Sequence, residues 1–320
     1  MQTLADLRPV PVGRVTFESL AALERQMMAI VCSSDAFDSL APCQAVAAAS
    51  YHLGSGGQRV RARLALHAGS CLGLVAKESQ ALAAACELLH NASLVHDDLH
   101  DRDIQRRGQS SVWHKFGDDI AICAGDLLLS ASYLALSQFG RVARLPELFA
   151  LMHSRIGSAV RGQCAELGRP TRPVLNLDDF RRIALAKSGA LLSLPTELAL
   201  LAAGQSHALA RARQAAESFA IGYQIYDDLL DVEKDAARNA VKNQDQNQNG
   251  NSSACNIVLI LQADPACANA RNAAIEIGLH HLLLAASAST GLPLHSGGAL
   301  HTMAMQLHEK LRNLECKQLS

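Results

Sequence analysis

The chain has 320 residues, 49% of them hydrophobic and only 4% aromatic, and its 29 Lys and Arg nearly cancel its 30 Asp and Glu to a formal net charge of -1. A chain of this length can bury a large core, and a balance so close to zero lacks the basic footprint that binds nucleic acid or an anionic membrane surface. Abundant Ala and Leu, with few runs of Val, Ile and Thr, predict an all-α fold.

In chain order, the opening "MQTLADLRPVPVGRV" lacks a basic segment followed by an apolar one, so no secretory signal is expected. Apolar residues then recur at three- and four-residue spacing through about 18–32, 40–53, 58–74, 78–101, 118–140, 145–166, 178–203, 207–235, 254–286 and 297–315. That pattern predicts about ten helices. The joints carry "GSGG" at 54–57, Gly140, "LGRPTRP" at 167–173 and "TGLP" at 290–293. Residues 236–253, "AARNAVKNQDQNQNGNSS", are almost devoid of large apolar groups and predict a polar, mobile loop. No composition shift or long linker divides the chain, so a single domain over 1–320 is expected.

The most apolar stretch, "GALLSLPTELALLAAG", is interrupted by Pro195 and Glu197, and nothing reaches the roughly 18 uninterrupted apolar residues of a membrane span. A soluble protein is expected. The nine cysteines, Cys32, Cys43, Cys71, Cys86, Cys123, Cys164, Cys255, Cys267 and Cys316, are never spaced as C-x-x-C. Several lie in Ala/Leu-rich contexts where a buried thiol packs as a small hydrophobe; the usage predicts a reducing cytoplasmic location and no zinc site.

Two short turns concentrate acid beside apolar sequence. In "VHDDLHD", Asp97 and Asp101 are four apart and share a helix face, while Asp98 lies roughly 100° round from Asp97. In "YQIYDDLLD", Asp227, Asp228 and Asp231 repeat the spacing after another apolar approach. Like charges so placed destabilise a helix unless a cation neutralises them. Facing each other across a bundle, two such turns would offer an all-oxygen site suited to Mg²⁺, which prefers carboxylates, water and substrate phosphate. Asp118–Asp119 and Asp178–Asp179 instead precede helix patterns and read as N-terminal charges.

"DDLHDRDIQRRG" and "DDLLD" resemble the two aspartate-rich motifs of the trans-isoprenyl diphosphate synthases, the polyprenyl synthetase family, and the likeness runs from about Gly54 to Asn251. It implies an isoprenoid-synthase-type helical bundle with a central cavity, usually a homodimer. In that family the aspartates, here Asp97, Asp98, Asp101, Asp227, Asp228 and Asp231, hold Mg²⁺ against an allylic diphosphate. "GGQRVRARL" is similar to the segment that grips isopentenyl diphosphate, with Arg61 as its last arginine, and His90 matches a histidine contacting the same substrate. Arg106 and Arg107 match the pair assigned to the allylic and isopentenyl diphosphates, a task suited to the planar guanidinium fork. "AKSGALL" places Lys187 and Ser188 at the allylic diphosphate, and Gln224 matches a glutamine near the reacting centre.

The resemblance therefore implies a prenyltransferase joining isopentenyl diphosphate to an allylic diphosphate, with Asp97, Asp101, Asp227, Arg106 and Lys187 carrying the catalysis. Small Ala92 and Ser93 stand where the family's short-product members carry bulky aromatics, which implies an open floor and a product of twenty carbons or longer. Gln58 and Asn251 replace two family lysines, and only Lys242 lies near the place of a third. Those losses motivate a second reading, a weakly active or non-catalytic partner subunit of a heteromeric synthase. A terpene cyclase on the same bundle is a third, opposed by the complete second triplet and by the Arg106–Arg107 pair.

Overall fold

The Thr16 hydroxyl accepts the Ser19 amide and so starts α1 (Phe17–Val31). The computed structural model describes residues 16–33, 43–167, 176–244 and 256–316. Within them follow α2 (Gln44–Gly54), α3 (Val60–Cys71), α4 (Ala76–Asp101), an antiparallel hairpin of β1 (Gln105–Arg106) and β2 (Gln109–Ser110), α5 (Val112–Phe116), α6 (Asp118–Ser137) and α7 (Leu145–Leu167). Next come α8 (Leu177–Ala184), a π-helical turn at Leu185–Gly189, α9 (Ala190–Ala202), α10 (Leu209–Gln244), α11 (Ile257–Gln262), α12 (Ala270–Thr290) and α13 (Gly298–Cys316). The fold is all-α, as the composition predicts.

The chain forms two units. One runs to Ala150 and includes Leu198–Gln205; the other comprises Leu151–Glu197 and the chain from Ser206 onward. In the first, α4 packs against α3 and α6, and α2 also lies on α6. From Ala81 to Leu89 every residue of α4 is buried, so this helix is apolar all round, as a central helix must be. Its alanines allow close approach, while Leu82, Leu88 and Leu89 each contribute roughly 1.5–3 kcal/mol by leaving water. Glu87 is the buried exception, and it accepts the Ala62 amide and faces the Arg59 guanidinium at 3.7 Å.

In the second unit α10 packs on α12, α12 on α13, and the π turn on α10. The Asn176 and Asn269 side chains cap α8 and α12. Asp118–Asp119 and Asp178–Asp179 occupy first turns of α6 and α8, the N-terminal role expected of them.

Several expectations need correction. The helix predicted over 254–286 is two, α11 and α12, because the intervening "ADPACAN" contains Pro265, which cannot donate, and Asp264, whose carboxylate takes the Ala266 amide. The predicted 236–253 loop is helical as far as Gln244: Ala, Lys, Arg and Gln are good helix formers, and no Gly or Pro stops α10 there. The rest of that segment, with Asn251, lies outside the described residues. The hairpin and α5 are too short for periodicity to reveal. Of the described cysteines only Cys86 is fully buried, whereas Cys32, Cys43, Cys123 and Cys164 are exposed.

Two helices, Asp118–Ser137 and Leu177–Ala202, are long and apolar enough to cross a membrane by length and composition alone. Core packing accounts for the second, since 78% of its most apolar window is buried in the fold.

Candidate active site

At the C-terminal end of α4 the first aspartate turn divides. Asp97 is half-buried and Asp101 exposed, whereas Asp98 is completely buried. Arg106, carried back against α4 by the β1–β2 hairpin, donates through Nε to Asp98 Oδ1 at 2.8 Å and through Nη2 to the same oxygen. Burial pushes the Asp98 carboxyl above its ordinary range, and Arg106 partly opposes that shift.

Arg107 turns the other way. Its backbone is left-handed (φ 54), and Nη1 donates to the Gly56 carbonyl and, at 3.3 Å, to Ser55 Oγ. A Cβ at Gly57 would lie 2.7 Å from the Arg107 Cζ, and Gly57 itself has φ +127, so glycine is required at that step of the loop. The α2–α3 loop and the hairpin are thereby locked together, with Tyr51 Oη donating to the Ser110 carbonyl as a second tie.

Beneath this pair lie two histidines. His90 Nδ1 is buried with no hydrogen-bond partner among the described residues, and His52 is buried beside the Asn91 carboxamide. Burial, followed by the charges of Arg61 and Arg107, holds the His90 imidazole well below its ordinary pKa. His52 is pushed down to about 3, first by burial and then by Arg107 and Arg106. Both rings are therefore neutral, and both sense the same arginines. Because an unfolded His52 would take its proton near the ordinary imidazole value of 6.5, the unfolded state binds more protons between that value and about 3. Stability should thus fall as pH falls through this window. Thermal denaturation across the range is expected to show that slope, and His52→Gln should flatten it; an unchanged slope would refute the assignment.

The second turn, on α10, divides in the same way. Asp227 and Asp231 are half-buried, four apart on one face, and Asp228 is 4% exposed. Asp228 Oδ1 accepts from Gln224 Nε2 at 2.8 Å and Oδ2 accepts the Ile257 amide at 2.7 Å. Gln224, expected near a reacting centre, is thus engaged with the turn itself.

Lys187 and Ser188 sit half-buried on the π turn, a local widening of the helix common at functional sites. Gly162 permits this placement: a Cβ there would stand 2.8 Å from Ala186 Cβ and 2.9 Å from the Lys187 nitrogen. Lys187 Nζ donates to Glu166 Oε2 at 3.0 Å. Glu166, His52 and Asn256 were not singled out from sequence. Glu166 carries no local sequence signal, because it meets Lys187 from 21 residues away.

Of the predicted site residues, Arg61, His90, Asp97, Asp98, Asp101, Arg106 and Arg107 belong to one unit, and Lys187, Ser188, Gln224, Asp227, Asp228 and Asp231 to the other. Ala92 is buried in α4, and Ser93 is half-buried with its hydroxyl on the His90 carbonyl. Among the described residues no three His, Cys, Asp or Glu side chains gather to hold a metal by themselves.

A polyprenyl synthetase family model matches residues 44–278. The chain belongs to the polyprenyl synthetase family. Among curated members it is 31% identical over 189 residues to a short chain isoprenyl diphosphate synthase of Methanothermobacter thermautotrophicus, a match covering 58% of each chain. It is 36% identical over 194 residues to the farnesyl diphosphate synthase of Escherichia coli, covering 57% of this chain and 64% of that protein. These matches thus span less than two thirds of the relatives' length. The fold is that of solved synthetases: geranylgeranyl pyrophosphate synthetase from Pyrococcus horikoshii superposes with a TM-score of 0.75 at 21% identity, covering 91% of this chain and 96% of that one. The archaeal Geoglobus acetivorans enzyme of the same name gives 0.73 at 21% identity, covering 92% and 100%.

Proposed function

We propose that this chain is a trans-prenyltransferase that condenses isopentenyl diphosphate with an allylic diphosphate to a linear all-trans prenyl diphosphate. The division within each aspartate turn carries the reading. The second carboxylate of each triplet is buried and engaged by the protein, while Asp97 with Asp101, and Asp227 with Asp231, form pairs one helical turn apart that retain solvent exposure. Such pairs suit Mg²⁺, which takes one or two carboxylates and completes its octahedron with water and substrate phosphate. Bound there, Mg²⁺ would supply charge neutralisation for a departing diphosphate.

The chain's own groups do the rest. Arg106, aimed by Asp98, and Lys187, steadied by Glu166, present cations to the allylic diphosphate, with Ser188 and Gln224 beside Lys187 and Asp227. Arg61, His90 and Arg107 orient isopentenyl diphosphate. The allylic C–O bond breaks, the isopentenyl double bond forms the new C–C bond, and a proton passes to the released diphosphate. No side chain acts as a covalent nucleophile.

Incubation of the purified protein with Mg²⁺, isopentenyl diphosphate and each allylic primer, followed by mass analysis, tests this reading. A ladder in five-carbon steps is expected. Hydrocarbon or alcohol from the allylic substrate alone would mean a cyclase, and silence until a second chain is added would mean a partner subunit. Gln58 favours keeping that last reading: it stands, half-buried, in the loop that Arg107 grips. A buried charge-assisted hydrogen bond is worth about 1.5–3 kcal/mol, so Gln58→Lys is expected to lower the isopentenyl KM about tenfold or more and leave the allylic one unchanged. Equal KM values for both proteins would remove Gln58 from the substrate site.

For product length we favour twenty carbons or more. Ser93→Phe tests it better than a change at Ala92, because a large ring at the fully packed Ala92 would cost about 1–3 kcal/mol in overpacking. Ser93→Phe should shorten the product while retaining initiation on a short primer; an unaltered product would mean the growing chain passes elsewhere. A homodimer completes the proposal, supported by the apolar exposure of Ile122 (47%) and Leu134 (46%) on α6, and the scattered cysteines support a cytoplasmic location. Sedimentation equilibrium reads the dimer, and a monomer at micromolar concentration would refute it.

A further inference from the structure

Asn256 immediately precedes α11 and is fully buried. Burying a carboxamide is costly unless its donors and acceptor are used. Here both ends are used: the Val258 amide donates to Asn256 Oδ1 at 2.9 Å, and Asn256 Nδ2 donates to the main-chain carbonyl of Asp228 at 2.9 Å. The next residue adds a third tie, since the Ile257 amide donates to Asp228 Oδ2.

Two other asparagines show what capping alone looks like. Asn176 and Asn269 each take an amide of their own helix from an exposed position, and neither cap bond reaches a second helix. Caps are also dispensable in this fold: α2 begins at Cys43 without any side-chain cap bond. A buried asparagine that spans from α11 to the aspartate turn of α10 does more than start a six-residue helix.

We infer that Asn256 is a positioning residue for the second aspartate turn: it ties the start of α11 to the Asp228 peptide and thereby sets where the Asp227 and Asp231 carboxylates stand. The bridge crosses 28 residues of sequence, and it grips the turn at both its main chain and its middle carboxylate. With Asp228 held inward by Ile257 and Gln224, Asp227 and Asp231 share a different face of the helix. The consequence for metal use rests on the prenyltransferase reading; the tie itself does not.

Two variants separate capping from bridging. Asn256→Ser keeps a hydroxyl oxygen for the Val258 amide but has no donor that reaches the Asp228 carbonyl, and Asn256→Ala loses both. Hydrogen exchange on the metal-free protein is expected to show amides 229–232 of α10 losing protection about tenfold in both variants, with Val258 protected again in the serine variant. In turnover assays both variants should need about tenfold more Mg²⁺ for half-maximal rate, with the isopentenyl KM within about twofold of the parent's. Unchanged exchange at 229–232 in the serine variant would overturn the inference, as would a parental Mg²⁺ requirement in that variant. If the parent protein turns over no primer, the functional reading fails, and the exchange experiment still decides the tie.

Discussion

Asp97→Ala and Asp227→Ala are each expected to lower turnover by about a thousandfold or more while leaving the thermal midpoint near that of the parent. Neither carboxylate is fully buried, so their removal opens no core cavity. The middle aspartates should behave differently. Asp98→Ala would strip the half-buried Arg106 of its principal partner, and Asp228→Ala would free the Ile257 amide and Gln224, so both should lose stability even without Mg²⁺. Kinetics and thermal denaturation of the four variants therefore form a two-by-two pattern. Full turnover in Asp97→Ala or Asp227→Ala would eliminate the metal assignment, and four equal midpoints would eliminate the division within the triplets.

Glu197→Ala should destabilise the protein by about 3–5 kcal/mol. Glu197 is completely buried on α9. Arg155 Nε and Nη2 each donate to one of its oxygens at 2.6 Å, Ser193 Oγ donates at 2.9 Å, and Arg213 Nε donates at 3.3 Å. Removing the carboxylate leaves the Arg155 guanidinium, itself only 8% exposed, without its counter-charge in a low-dielectric setting. Replacing the pair together, Arg155→Leu with Glu197→Leu, should cost less than Glu197→Ala alone, because no charge is then stranded. Urea denaturation measures both. A double variant less stable than the single would show that the pair's attraction outweighs its desolvation cost.

Much of the candidate site was legible before any fold was known. Two D-D-x-x-D turns behind apolar helix, a glycine pair before arginines and an ordered lysine segment are local patterns, and the structure places each on the expected helix end, loop or helical segment. What stayed hidden were partnerships across long stretches of chain. Glu166 and Lys187 are 21 residues apart, Arg155 and Glu197 are 42 apart, and Asp228 meets Ile257 after 29. No periodicity encodes such meetings, because they depend on how helices lie against one another.

The helical class, most helix limits and the acidic turns follow from local sequence, since spacing, caps and propensity act within a few residues. Local sequence also determined the relative angles of Asp97, Asp98 and Asp101 around their helix. Which of the three turns inward was decided only by tertiary structure. A helix carries its side chains at set angles, but its rotation about its own axis is chosen by the neighbours it packs against. Here the hairpin's Arg106 draws Asp98 inward, and the start of α11 does the same for Asp228.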